Sequence, residues 1–379
     1  MIIDNINNHK IIVFGGEHYN PLGAIRSFGE KGINPIAVIY PSGSKQTVAS
    51  ASKYISCLHK VQSMQDGYNL IVETYGNELE KPFVITCDDL STSYLDIHFD
   101  EIRDRFLFYN ATKNGMLTYF MDKNNINITA RNTGFTVAPT HVVQKGEIPI
   151  GLEYPVITKA ISSNSGAWKA DVFICYNEHE LIEAYKKIKG DTILLQKYIN
   201  KTNELCIDGF SINDGQDMII TIAATYDYIL PGKYSTFFTI KNLEDQQLWN
   251  QIHNLIKTIK YNGIFCIEFL VGDDGKLYFL EVNLRNSGWS YASTCAGMNM
   301  PYYWCISMLE GSIPQEAYST IPENFKAMVE ISDFKTRVIG RQINLFKWIH
   351  QMRQCSCLFY YNKQDTKPFW SSIISKMRR

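Results

Sequence analysis

With 379 residues, of which 45% are hydrophobic, 20% charged and 13% aromatic, the chain has the make-up of a globular protein of two or three packed units, not of a disordered, collagenous or coiled-coil one. Its 37 basic and 38 acidic side chains leave a net charge of -1, which disfavours a wholesale nucleic-acid binder. No run approaches the roughly 18–20 apolar residues of a membrane span, and the opening Met1-Ile-Ile-Asp-Asn lacks the regions of a signal peptide, so a cytoplasmic protein is expected.

Residues 10–16 read as a short β run ending in glycines, 22–31 as a helix and 36–40 as a second strand, together a β-α-β unit. The stretch from Gly15 to Gly23 does not spell G-x-G-x-x-G, and no acid ends the second strand, which argues against a dinucleotide site. Strands are expected at 83–87 and 106–109, with Asp88 and Asp89 at the carboxyl end of the first, where open α/β sheets place ligands. A helix over 112–131 leads through Gly134 and Pro139 to a strand at 154–160, and the small polar loop 162–166 follows. After a helix at 180–188 come strands at 193–198, 205–212 and 218–226, then a helix over 243–260. The fold class is therefore α/β at the start and α+β in the middle.

The last 45 residues hold ten Lys or Arg against one acid, Asp365, interleaved with Phe346, Trp348, Phe359, Tyr360, Tyr361, Phe369 and Trp370. Such a tail suits an anionic or membrane surface, or else basic helices packed by their aromatic faces on an acidic body. The nine cysteines lie mostly in apolar contexts and read as buried thiols; Cys355-Ser-Cys357 has no second pair to complete a zinc site.

The most informative segment is a hairpin, in which 263–271 and 276–284 flank Gly272-Asp-Asp-Gly275. With Asp274-Gly275 as a two-residue turn, Glu268 opposes Glu281; a turn at Asp273-Asp274 keeps them diagonal on one face, and only an odd loop splits them. Phe265, Ile267, Phe269 and Val271 then share the other, buried face with Leu280, Val282 and Leu284. Facing carboxylates about 5 Å apart repel unless one is protonated or a cation lies between them. Asn283, on the same face, adds a carbonyl oxygen, and an all-oxygen trio suits Mg²⁺ or Mn²⁺ rather than zinc. Magnesium held by few protein ligands takes its other positions from water and nucleotide phosphates, which points to ATP. The plain competitor is a hairpin with two solvated acids.

Phe279-Leu-Glu-Val-Asn-Leu-Arg-Asn-Ser-Gly288, preceded by Cys266-Ile-Glu-Phe-Leu270, resembles the metal-binding hairpin of the ATP-grasp superfamily, which includes biotin carboxylase, carbamoyl-phosphate synthetase and D-aspartate ligase-like enzymes. Further pieces resemble the family in order: Lys123 its first nucleotide-binding lysine, Lys159 its second, Gln196, Lys197 and Ile199 the adenine hinge, and Glu204 a ribose contact. The loop with Ser162, Ser163, Ser165 and Gly166 corresponds to the phosphate cover but lacks a glycine run, which disfavours biotin carboxylation. The resemblance implies an ATP-grasp fold with a Rossmann-like N-terminal domain over 1–110, a small lid subdomain over 111–192, a large metal-bearing subdomain over 193–315 and a basic extension over 316–379.

It also implies an ATP-dependent carboxylate–amine ligase using Mg²⁺ (or Mn²⁺) and working through an acyl phosphate. Lys159 and Arg285 are the expected catalytic side chains, the latter stabilising a transferring phosphoryl group or a substrate carboxylate. Trp289, Tyr291, residues 296–301 and Lys233 are candidates for the acceptor pocket. A thiol or bicarbonate acceptor, or a nucleotide-binding scaffold that recruits partners through its tail, are the competing readings. Motifs of serine hydrolases, zincins and P-loop proteins are missing from the sequence.

Overall fold

Ile11, Ile12, Val13 and Phe14 are apolar without alternation, the pattern of a strand covered on both faces. The computed structural model, which describes residues 6–42, 47–161, 171–230 and 234–377, buries all of β1 (Ile11–Gly16) at the centre of a parallel sheet. With β2 (Ile36–Tyr40), β3 (Cys57–Lys60), β4 (Phe83–Thr86) and β5 (Leu107–Phe108) the order is β3-β2-β1-β4-β5. The helix Tyr19–Gly29 begins before the expected Leu22 because the His18 side chain accepts the Asn20 N–H and so caps it. At the switch of strand order between β1 and β4, Asp88 accepts the Gly16 N–H at 2.8 Å and the Tyr40 hydroxyl at 2.5 Å, and caps the helix Asp89–Ile97 through the Ser91 N–H. Asp88 is thus engaged within the fold, and Asp89 is the residue that reaches outward.

The expected single helix over 112–131 is two, Met116–Met121 and Lys123–Asn132. Asp122 breaks it: its backbone is extended and its carboxylate takes the Asn124 and Asn125 N–H groups, the usual preference of Asp for a cap over a helix interior. The break sets Lys123 at the first position of the second helix. An antiparallel sheet follows from β6 (Thr140–Gln144), β7 (Val156–Ala160), β8 (Ile174–Cys175) and β9 (Thr192–Lys197), ordered β6-β9-β7-β8. The helix Glu178–Tyr185 lays Leu181 and Ala184 on its core of Val143, Val156, Ile193 and Leu195.

The third sheet contains β10 (Lys201–Ile212), β11 (Asp217–Tyr226), β12 (Phe237–Lys241), β13 (Gly263–Gly272), β14 (Leu277–Asn283), β15 (Lys326–Met328) and β16 (Cys357–Leu358), ordered β14-β13-β10-β11-β12-β15-β16. The helix Gln246–Ile259 buries Leu248, Ile252, Leu255, Ile256 and Ile259, one face at helical spacing, and stops where Lys260 turns left-handed at φ 58°. Part of the basic tail is interior: Trp348, Cys357, Phe359 and Tyr360 are buried, as packing on the body requires. Cys87, Cys175, Cys206, Cys266, Cys305 and Cys357 are buried free thiols. Among the described residues no helix is long and apolar enough to cross a membrane.

Candidate functional site

In the hairpin β13-β14, Glu268 opposes Glu281 and Cys266 opposes Asn283, as expected, but by a different route. The Gly272 N–H donates to the Lys276 carbonyl at 2.9 Å, closing the three-residue loop Asp273-Asp274-Gly275 with Gly275 at φ 76°, in place of the expected two-residue turn. Asp274 favours the longer loop by accepting the Lys276 N–H at 3.1 Å and the Tyr278 hydroxyl at 2.8 Å. An odd loop alone would turn the two glutamates to opposite faces. A bulge between Glu268 and Phe269 restores the register by leaving Leu280 as the extra residue. Phe279, 2% exposed and opposite Phe269, therefore takes the buried place expected of Leu280.

On β10, Asp208 opposes Cys266 and Cys206 opposes Glu268, so Glu204, Asp208, Glu268, Glu281 and Asn283 share one face of three adjacent strands. Burial, followed by the neighbouring Glu281 and Glu204, holds the Glu268 carboxyl well above the usual carboxylate range. Asn283 donates its amide to Glu268 Oε1 at 3.0 Å, and its oxygen accepts from Arg285 Nη2 at 2.9 Å. The oxygen expected to face a cation is thus turned to Arg285. A half-turn about χ2 exchanges the two atoms.

Two lysines close over the acids. Lys123 donates its N–H to the Ile161 carbonyl at 2.9 Å, which ties it to the end of β7, and its Nζ lies 3.3 Å from Glu281 Oε2. Lys159, on β7, donates to Gln196 Oε1 at 2.7 Å, and Gln196 donates to Thr140 Oγ1 at 3.0 Å. Burial first, and the Lys123 charge second, push the Lys159 ammonium down to about 8. An anion beside the two ammonium groups would offset their mutual repulsion, so the donor set fits a polyphosphate next to a divalent cation. Only the protonated amine attracts phosphate, so the Lys159 contribution to ATP affinity should be level below about pH 8 and fall as pH rises through that value. Lys159→Met should weaken ATP binding by about tenfold or more and abolish this pH step, both measurable by calorimetric titration.

The Glu204 carboxylate is buried and ion-paired with Lys201, and burial raises its pKa. Gln196 lies inside the site, whereas the Lys197 side chain points out to Glu153 at 2.9 Å. At the expected adenine hinge the Lys197 N–H donates to the Pro139 carbonyl at 2.8 Å. Pro139 has no N–H to return, so the ladder there offers the Lys197 carbonyl no donor. Ile199 is half-buried in the bend that follows β9. Ser162, Ser163, Ser165, Gly166 and Lys233 lie outside the described residues.

Arg285 donates from Nε to Asp89 Oδ1 at 2.5 Å and from Nη1 to the Asn286 carbonyl at 3.3 Å, clamping the end of β14 to the first sheet. Three of its five donors are used among the described residues. Two expectations for the acceptor pocket are corrected. Tyr291 donates to Glu30 at 2.7 Å and accepts from Asn362 at 2.7 Å, an interhelical contact, while Met298 and Met300 are wholly buried in the core. Trp289 is buried against Phe238, with ring centroids 4.5 Å apart. The sequence reading missed Asp208 and the Asp89–Arg285 pair. Asp208 sits fully buried and accepts from Ser287 at 2.6 Å, with no hydrogen-bond partner for Oδ1 among the described residues, and burial lifts it to about 6. The readable signal was an acid in the middle of the otherwise apolar Cys206-Ile-Asp-Gly-Phe210.

Residues 190–332 match the model of a family described as ATP-grasp in the biosynthetic pathway with Ter operon. Among solved structures, N5-carboxyaminoimidazole synthetase of Staphylococcus aureus is similar over 87% of this chain and 84% of its own, with TM-score 0.64 and 15% identity. The L-amino acid ligase of Bacillus licheniformis is similar over 81% and 77%, with TM-score 0.61 and 13% identity. A biotin carboxylase of Campylobacter jejuni, solved as a complex with β,γ-ATP, is similar over 82% and 73%, with TM-score 0.63 and 17% identity. No curated protein sequence matches the chain.

Proposed function

We propose that this chain, which has the ATP-grasp fold, is an ATP-dependent carboxylate–amine ligase, with the glutamate pair as its metal site. The observation that carries the reading is the opposition of Glu268 and Glu281 on adjacent strands beneath Lys123 and Lys159. Facing carboxylates repel, and so do neighbouring ammonium groups; Lys123 offsets part of the Glu281 charge, and a cation and a polyphosphate would balance the rest. A divalent cation held by Glu268, Glu281 and Asn283 would screen the charge of the terminal phosphates.

The chain's own residues supply the rest. Lys159 and Lys123 bind phosphate oxygens; Gln196 fixes the Lys159 amine; Arg285, held by Asp89 and Asn283, turns its remaining donors to the substrate carboxylate or the transferring group. A carboxylate oxygen then attacks the γ-phosphorus, the bond to the β-phosphate oxygen breaks and ADP leaves. The amine nitrogen attacks the acyl carbon, the carbon–oxygen bond to phosphate breaks, and a proton is lost to yield the amide and inorganic phosphate. Geometry and charge screening carry both steps, and no covalent protein intermediate is required. The unit boundaries near residues 110, 192 and 315 belong to the same proposal.

Incubation with ATP, Mg²⁺ and pooled amino acids, following phosphate release and product mass, tests it. ADP formed only when a carboxylate and an amine are both present, with an adduct one water lighter than their sum, is the expected result. Turnover with bicarbonate alone favours a carboxylating enzyme such as the relatives in this fold. Nucleotide binding without turnover on any pool contradicts the ligase.

A further inference from the structure

We propose that the helical hairpin over residues 330–353 is a docking surface for a membrane rich in anionic phospholipid. The helix Glu330–Asp333 runs on through the π-helical turn Phe334–Ile339 to a bend, and the helix Leu345–Arg353 returns. The inner side of this hairpin is already occupied. Trp348 packs edge-on against Phe334 at 5.1 Å and donates its indole N–H to Asp333 at 2.9 Å, and Val338, Ile349 and Met352 pack with Phe237 and Met328.

The tip is a different surface. Ile339 is 65% exposed, Leu345 45% and Phe346 84%, three large apolar side chains flanking one bend. Arg341 and Lys347 stand exposed in the bend and the first turn after it, Lys335 is exposed four residues before Ile339, and Arg353 is exposed at the far end of the returning helix. Residues 334–364 contain no Asp or Glu. The acids at either end of that stretch are engaged in buried ion pairs, Asp333 with Arg337 and Asp365 with Arg26, and Glu330 is turned inward to accept the N–H groups of Phe359, Tyr360 and Tyr361. The tip therefore combines an apolar wedge with exposed positive charge.

That combination selects the occupant. A second copy of this chain would bring two basic tips together. A nucleic acid would satisfy the charge and leave the wedge in water. A phospholipid layer offers phosphates to the charge and acyl chains beneath them, which answers both halves at once.

Co-sedimentation of the full-length protein with vesicles tests this. Binding is expected to vesicles of phosphatidylcholine mixed with phosphatidylglycerol, to be absent with phosphatidylcholine alone, and to weaken as salt rises. Arg341→Gln and Lys347→Gln should each weaken it about fivefold, and Phe346→Ser should weaken it without changing its salt dependence. Because these side chains are exposed, melting temperature and ATP turnover should not move; should Phe346→Ser lower the melting temperature, Leu345→Ser replaces it. The proposal is overturned if wild type fails to sediment with anionic vesicles, sediments equally with neutral ones, or keeps its binding in the variants. It is equally overturned if sedimentation velocity shows a dimer that Phe346→Ser dissolves, which would give the face to a second copy.

Discussion

Glu268→Gln should lower Mg²⁺-dependent ATP turnover by about a hundredfold or more, while leaving the metal-free protein at least as stable as wild type. Glutamine keeps the volume and the oxygen that accepts from Asn283 at 3.0 Å, and removes one of two charges facing each other across β13 and β14. Relief of that repulsion works toward stability, whereas loss of the cation site works against catalysis. The two effects have opposite signs, which separates this role from a merely structural one. Magnesium with ADP should raise the wild-type melting temperature by mass action and leave the variant nearly unmoved. Parallel thermal melts and phosphate-release assays read both.

Asp365→Ala should cost about 3–5 kcal/mol of stability, the range for leaving a buried charge uncompensated. Arg26 is 0% exposed. Its Nε meets Asp365 Oδ2 at 3.0 Å, and its other nitrogens donate to the carbonyls of Phe359, Tyr360 and Asp365. Asp365 in turn accepts from Ser52 at 2.8 Å and from the Lys53 N–H at 2.9 Å. The pair therefore fastens the C-terminal segment to the helix Tyr19–Gly29 on the first sheet. Replacing both partners, as Arg26→Met with Asp365→Leu, removes the orphaned charge and should recover part of the loss. Guanidinium unfolding midpoints measure this, and a cost below about 1 kcal/mol for the single change contradicts the clamp.

Features set by local chemistry were legible, and those set by long-range docking were not. The two glutamates could be read as facing because side chains alternate with period two along any strand. The way they come to face was hidden, because an odd loop and a one-residue bulge cancel, and a sequence without either predicts the same pairing. Lys123 and Lys159 were found by order and context, but their closeness depends on the break at Asp122, whose capping carboxylate the helical pattern concealed. Asp89 and Arg285 meet only when the first sheet packs on the third, and nothing near either residue signals the other. The adenine hinge shows the same limit. Gln196 and Lys197 lie on β9, and the Lys197 N–H is taken by the Pro139 carbonyl, a partner fixed by the pairing of β6 with β9. The tail was read as basic and aromatic throughout, and only packing divides it into buried Trp348, Phe359 and Tyr360 and the exposed Phe346.

In the proposed site Glu268 and Glu281 together hold a divalent cation against a bound nucleotide. Manganese titration followed by electron paramagnetic resonance, with ADP present, measures this without requiring the substrates. One Mn²⁺ per chain is expected in the wild type, weakened at least about tenfold by Glu268→Gln or Glu281→Gln alone and lost when both are changed. Equal manganese affinity in the wild type and the doubly substituted protein contradicts the account.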